Sequence, residues 1–160
     1  MSPAKNVLKE GDKAPDFRLH ADDGKEISLS KMRGKPVVLF FYPRAMTPGC
    51  TIEANEFREL KSKFDKTDVV VLGCSADKVP AQAKFKAKYK LNYPLLSDPE
   101  FDAIEAYHAR RMKKFLGKSF LGIVRSTFLI DRDGRIAKIW DNVKAKGHAA
   151  EVLEAAKQLK

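Results

Sequence analysis

Cysteine is scarce, with two residues in 160, and so is histidine, with three. Two thiols cannot form the dense cross-linking of a small secreted scaffold. A chain of this length buries roughly 68 to 70% of its unfolded surface without such staples. The thiols are therefore expected to be reduced, and any special role for them to be chemical. No apolar run approaches the roughly 20 residues that span a bilayer. The strongest covers residues 36–43 and is bounded by Pro36 and Pro43. The stretch 1–12 is polar, carries charges of both signs and lacks the apolar centre of a secretory leader. A cytoplasmic protein with no membrane partner is the expectation. His20, His108 and His148 stand far apart with no Cys or His at ligand spacing, so neither a metal site nor a cofactor is expected. Asp131-Arg-Asp-Gly134 brings its glycine fourth, where a calcium loop needs it sixth, and reads as a plain turn. Repeats and linker-like tracts are lacking too, which predicts a single domain over residues 1–160.

Positive charge is in excess: 31 Lys and Arg against 21 Asp and Glu, a formal charge of +10. Lys84, Lys86, Lys88 and Lys90 alternate with Phe85, Ala87 and Tyr89, and Arg110, Arg111, Lys113 and Lys114 form a second cluster. No nucleic-acid recognition motif accompanies either one. Both read as solvated surface, with no specific nucleic-acid partner.

The order of elements is more informative. Asp16 to His20 and Glu26 to Leu29, split by Asp22-Asp23-Gly24, predict a short hairpin ahead of the main fold. Lys35 to Tyr42 contains an unbroken apolar run suited to a strand buried on both faces. Ile52, Phe57, Leu60 and Phe64 predict the apolar face of a helix. Asp68 to Cys74 reads as a second buried strand, Pro80 to Tyr89 as a helix, Tyr93 to Leu96 as a short strand and Glu100 to Tyr107 as a further helix. This alternation implies parallel strands joined by crossover helices. Ser126 to Ile130 and Arg135 to Trp140 flank the Asp131–Gly134 turn and predict an antiparallel pair. A last helix, His148 to Leu159, turns Val152, Leu153, Ala156 and Leu159 inward. The expected class is α/β, a thioredoxin-like fold with a central mixed sheet flanked by helices and an N-terminal β-hairpin.

The chemistry concentrates in Phe40-Phe-Tyr-Pro-Arg-Ala-Met-Thr-Pro-Gly-Cys50, which runs from a buried strand into the first turn of a helix. Thr47 suits the N-cap, and Pro48 suits the first helical position, where its missing N–H costs nothing. Cys50 then falls in the opening turn, where free N–H groups and the helix dipole favour thiolate over thiol. On geometry alone an ordinary buried cysteine is the competing reading.

Pro43, Thr47 and Cys50 form P-x-x-x-T-x-x-C, and Phe41 to Glu53 resembles the active-site segment of the bacterioferritin-comigratory, or Q-type, peroxiredoxins. Val71 to Asp77, Tyr93 to Asp98 and Gly122 to Asp131 follow the same family pattern. The resemblance implies a thiol-dependent peroxidase whose Cys50 attacks hydrogen peroxide or an organic hydroperoxide and becomes a sulfenic acid. It further implies that Thr47 hydrogen-bonds the peroxide, Pro43 shields the sulfur, and Arg125 stabilises thiolate and substrate with its fixed donors. Glu53 either favours the helix N-terminus electrostatically or takes part in positioning Arg125 or a proton, and Tyr42 reads as core. The basic run Arg110 to Lys118 precedes Arg125, and there it could border the pocket and attract anionic hydroperoxides or a reductant.

Resolution of the sulfenic acid is the open half. Where many relatives carry a resolving cysteine, this chain has Asn55, and in the following helix it has Phe85 and Lys86. Cys74 reads either as a packed core thiol or as a resolving thiol. The leading expectation is a one-cysteine cycle completed by an external thiol such as thioredoxin, glutaredoxin or a small thiol, in a monomer, with a dimer as the alternative. Two other classes stay in view. A thioredoxin-like dithiol oxidoreductase would share the fold, but its first thiol is here Thr47. A basic, non-enzymatic binding module would explain the charge but neither Cys50 nor Arg125.

Overall fold

A computed structural model describes residues 6–159. The first five residues of the polar stretch 1–12 therefore lie outside the described residues. The strands are β1 (Arg18–Ala21), β2 (Glu26–Ser28), β3 (Val37–Phe41), β4 (Val70–Ser75), β5 (Leu95–Ser97), β6 (Arg110–Phe115), β7 (Lys118–Ile123), β8 (Ser126–Ile130) and β9 (Ile136–Trp140). The helices are α1 (Pro48–Lys66), α2 (Val79–Tyr89), α3 (Asp102–Ala106) and α4 (His148–Lys157). Seven strands form one sheet in the order β2-β1-β5-β4-β3-β8-β9. β3, β4 and β5 run parallel, while β8 is antiparallel to β3 and β9 to β8. The architecture is the thioredoxin-like mixed sheet.

β3 is central because every residue in it is apolar and buried, so both of its faces must be covered. Its side chains alternate between two cores. Val38, Phe40 and Tyr42 join Cys50, Phe57, Phe64, Phe85 and Val152 under α1, α2 and α4. Val37, Leu39 and Phe41 join Leu72, Cys74, Leu96, Ile104, Tyr107 and Phe128 on the opposite face, which α3 covers. Phe40 stacks on Phe57 with ring centroids 4.5 Å apart. Gly73 makes room for that ring, since a Cβ there would lie 2.9 Å from Phe40 Cζ.

Two expectations change, and one element had no reading in the sequence. The N-terminal hairpin does not precede the sheet but belongs to it: β1 pairs antiparallel with both β2 and β5 and extends the sheet's edge. Ile52 is not on the buried face of α1 and is 46% exposed. The inward residues are Cys50, Glu53, Ala54, Phe57 and Phe64, and Ile52 stands roughly 140° around the helix from Phe57 at 3.6 residues per turn. Lastly, the basic run after α3 is a second, two-stranded sheet, β6 with β7. Its lysines are poor strand formers, and so it carries little strand signal.

Candidate active site

β3 delivers the chain to residues 43–47, and a buried polar network holds that loop. Tyr42 Oη donates to Gln82 Oε1 at 2.6 Å, and Gln82 Nε2 donates to Ser75 Oγ and to the Leu96 carbonyl. Ser75 Oγ in turn donates to Asp77 Oδ2, the same oxygen that accepts from the backbone N–H of Ala45 at 2.8 Å. Tyr42 is thus core, as expected, and also the start of a relay that fixes the loop. Met46 has φ of +71°, a left-handed conformation costing a bulky residue about 1–2 kcal/mol. That strain sits immediately before Thr47.

Thr47 occupies the N-cap position of α1, but its hydroxyl does not cap the helix. It donates to the Arg44 carbonyl at 2.7 Å instead, which leaves the hydroxyl oxygen as an acceptor. Pro43 opens the loop, half-buried. Cys50 is the third helical residue and is 1% exposed, in the turn where backbone N–H groups lack intrahelical partners.

Arg125 approaches from between β7 and β8. Its Nη2 donates to Cys50 Sγ at 3.4 Å, and its Nη1 to Glu53 Oε1 at 2.8 Å. One guanidinium thereby bridges the sulfur and a carboxylate one turn further along α1. Gly49 permits the approach, because a Cβ at that position would stand 3.0 Å from Arg125 Nη2. Burial works against the charge on Arg125, but Glu53 and Cys50 outweigh it and raise its pKa. Burial pushes the Glu53 carboxyl up to about 7, with Arg125 opposing. Its second oxygen, Oε2, is buried with no hydrogen-bond partner among the described residues. Lys113 is held below its ordinary value by burial and by Arg125, with Cys50 acting in the other direction. His148, whose Nε2 lies 2.7 Å from Thr127 Oγ1, is lowered to about 4 by burial and by Arg125.

The structure brings together Thr47, Cys50, Glu53 and Arg125, and places Pro43 in the same loop. Cys74 stands elsewhere. Paired with Phe41 in the sheet, it faces the α3 side, whereas Cys50 packs on the α1 side. Burial, then Asp98, pushes its thiol well above the ordinary value. Sequence reasoning missed Gly49, and it named Lys113 only as part of the basic run that could border the pocket. A glycine in the first turn of a helix is a signal of close approach, while the place of Lys113 becomes visible only once β6 and β7 are paired.

Residues 10–139 match the model of the AhpC/TSA family. Peroxiredoxin Bcp of Bacillus subtilis is 46% identical over 96% of this chain and 98% of its own length, and Peroxiredoxin Bcp of Escherichia coli is 41% identical over the same shares. A solved structure of the Xanthomonas campestris bacterioferritin comigratory protein, studied for its alkyl peroxide reduction, superposes with a TM-score of 0.87. It is 37% identical over 96% of this chain and 98% of that one. Peroxiredoxin Q of Xylella fastidiosa, in a C-to-S variant, gives a TM-score of 0.90 at 34% identity over the same shares.

Proposed function

The chain belongs to the AhpC/TSA family, on the branch of the Bcp and Q-type peroxiredoxins, and is a thiol-dependent peroxidase; from that premise we propose that Cys50 is its peroxidatic nucleophile, with Thr47 and Arg125 as the substrate-polarising groups and Pro43 as the shield of the sulfur. The observation that carries this reading is the bridge from Arg125 to both Cys50 Sγ and Glu53.

The reaction is a displacement at oxygen. The sulfur lone pair of the Cys50 thiolate forms an S–O bond to one peroxide oxygen, and the O–O bond breaks. The departing oxygen carries the electron pair away, takes a proton and leaves as water or an alcohol, with Cys50 left as the sulfenic acid. Negative charge moves from sulfur to the departing oxygen, so catalysis requires donors placed where that charge arrives. Arg125 is such a donor, permanently charged and held in orientation by Glu53. Thr47, whose proton is committed to Arg44, offers its oxygen to the O–H of the hydroperoxide. Binding both ends of the O–O bond holds it in line with the sulfur.

The sulfenic acid is resolved by an external thiol, small or carried by a protein such as thioredoxin or glutaredoxin. Cys74 is separated from Cys50 by the thickness of the sheet and packs among Phe41, Leu72 and Phe128. Cα atoms joined by a disulfide stand within about 7 Å with their Cβ vectors converging, and residues facing opposite sides of a sheet do not converge. Cys50 is buried as well, and a protein thiol reaches it only when the first turn of α1 opens. The strained Met46 and the missing side-chain cap at Thr47 weaken that turn. The described residues act as one domain in the cytoplasm, as a monomer.

Peroxide consumption in the presence of dithiothreitol, compared for wild type and Cys50→Ser, tests the assignment. Turnover is expected for the first and buffer background for the second. Equal rates would remove Cys50 from the mechanism.

A further inference from the structure

Apart from Lys113, which feels the charges of Arg125 and Cys50, the hairpin β6–β7 is left unused by the peroxidase chemistry. Arg110 to Ile123 carries five cations and no acid. Its turn exposes Leu116 to 86% and Phe115 to 66%, and Met112, Phe120 and Leu121 are also exposed. Single exposed apolar residues need no explanation, but several in one projection mark a contact surface. Arg110 is paired with Glu105, Arg111 with Asp141, and Lys113 Nζ donates to the Ile123 carbonyl. Lys114 and Lys118 have no such partner among the described residues, and they flank the apolar turn. In the ladder Phe115 pairs with Lys118, Lys114 with Ser119 and Lys113 with Phe120, so cations and apolar side chains alternate on the same short ribbon.

We propose that this hairpin docks the protein on an anionic lipid surface, with Phe115 and Leu116 entering the headgroup boundary and Lys114 and Lys118 meeting lipid phosphates. Charge complementarity selects this occupant over a second copy of the same hairpin. A second copy covering the ribbon would bury Lys114 and Lys118 without acids to meet them, since the hairpin itself has none. Lysines along both open strand edges also discourage pairing with another strand. At a lipid surface the same lysines keep their ammonium groups in the phosphate layer while their stems lie against apolar chains. More exposed cations stand close by: the Val143 N–H donates to the Arg125 carbonyl, and Lys144 and Lys146 follow it. The docked end is thus the end that holds Arg125 and Cys50. The inference concerns where the protein sits and does not depend on the peroxidase reading.

Co-sedimentation with vesicles of equimolar phosphatidylglycerol and phosphatidylcholine, against phosphatidylcholine alone, tests it. Wild type is expected to partition about tenfold or more in favour of the anionic vesicles, from two or more lysines at the surface. Lys114→Glu with Lys118→Glu should remove that preference. Phe115→Ser with Leu116→Ser should weaken binding to both vesicle types in proportion. None of these residues contacts Cys50, so hydrogen peroxide turnover and circular dichroism should be unchanged, which keeps a folding defect distinguishable from lost docking. The pair Lys84→Glu and Lys88→Glu on α2 makes the same charge change at a distance and should have a much smaller effect. An equal effect from that pair would reduce the binding to net charge and overturn the proposal. So would wild type that shows no anionic preference, or a concentration-dependent dimer that the Phe115 and Leu116 changes dissolve.

Discussion

Cys50 and Cys74 are buried to nearly the same degree, 1% and 0% exposed; Cys50 lies in the first turn of α1, which follows β3, and Cys74 near the end of the neighbouring parallel strand β4. Their surroundings separate them. Cys50 meets a guanidinium and the first turn of a helix, whereas Cys74 meets aromatic and aliphatic side chains with the Asp98 carboxylate nearby. A sulfur is made reactive by the donors aimed at it, and burial without them raises the thiol pKa and keeps it inert. The two faces of one sheet therefore give the two thiols opposite surroundings, and on the proposed mechanism one reacts and the other packs.

Removing the donor should have the largest effect. Arg125→Met is expected to lower kcat/KM for peroxide by about 10² to 10³-fold, the usual loss when one charged donor to a developing anion is deleted. Stopped-flow consumption of hydrogen peroxide checks this, and a loss below threefold would remove the contrast between the two cysteines. The same change leaves Glu53 buried and unpaired, so stability should fall by about 3–5 kcal/mol in urea unfolding. Adding Glu53→Gln should recover most of that stability and none of the rate.

Glu53 offers the next test. Its folded value of about 7 lies above the 4.5 of an unperturbed carboxyl, so the folded chain holds a proton that the unfolded chain releases. The stability this confers is complete below pH 4.5 and is lost as pH rises through 7. Between those limits wild type should lose of the order of 3 kcal/mol relative to Glu53→Gln, measured by urea unfolding across pH. A difference that stays constant with pH would show that Glu53 is ionised throughout.

Gly49→Ala places a methyl group 3.0 Å from Arg125 Nη2. The guanidinium must shift away from the sulfur, and a fall of about tenfold in kcat/KM is expected, while alanine's helix propensity keeps the melting temperature from dropping. Unchanged kinetics would mean that Arg125 has room to spare. The smallest effect belongs to Cys74→Ser: turnover with dithiothreitol should stay within twofold of wild type, with stability lowered by about 1–3 kcal/mol by the buried hydroxyl. After one equivalent of peroxide, mass spectrometry should show one added oxygen and no disulfide. Collapse of steady-state turnover in Cys74→Ser, with single-turnover consumption intact, would instead make Cys74 the resolving thiol.

Much of the site was legible from local pattern. Thr47, Pro48 and Cys50 lie within four positions, so their relation to a helix start follows from helical geometry alone. The pairing of β8 with β9 was equally readable from the Asp131–Gly134 turn. Arg125 entered by resemblance, since 75 residues separate it from Cys50 and no periodicity links the two. The hydroxyl of Thr47 could be read as a cap but not as a donor to Arg44, because that depends on the strained conformation at Met46. Ile52 was misplaced by weighing hydrophobicity above helical angle, and buried Glu53 took the inward position because Arg125 was there to receive it.

By itself the sequence determined the alternation of elements, the two-faced burial of β3 and the arrival of a cysteine in the first turn of α1. Each of these follows from interactions within a few residues of chain. Only the tertiary structure decided which face of the sheet each thiol occupies, that Arg125 spans Cys50 and Glu53 over Gly49, and that the basic run stands out as a hairpin. Those outcomes depend on strand register and on side chains distant in sequence, and shifting one strand by a single residue would send every side chain on it to the opposite face.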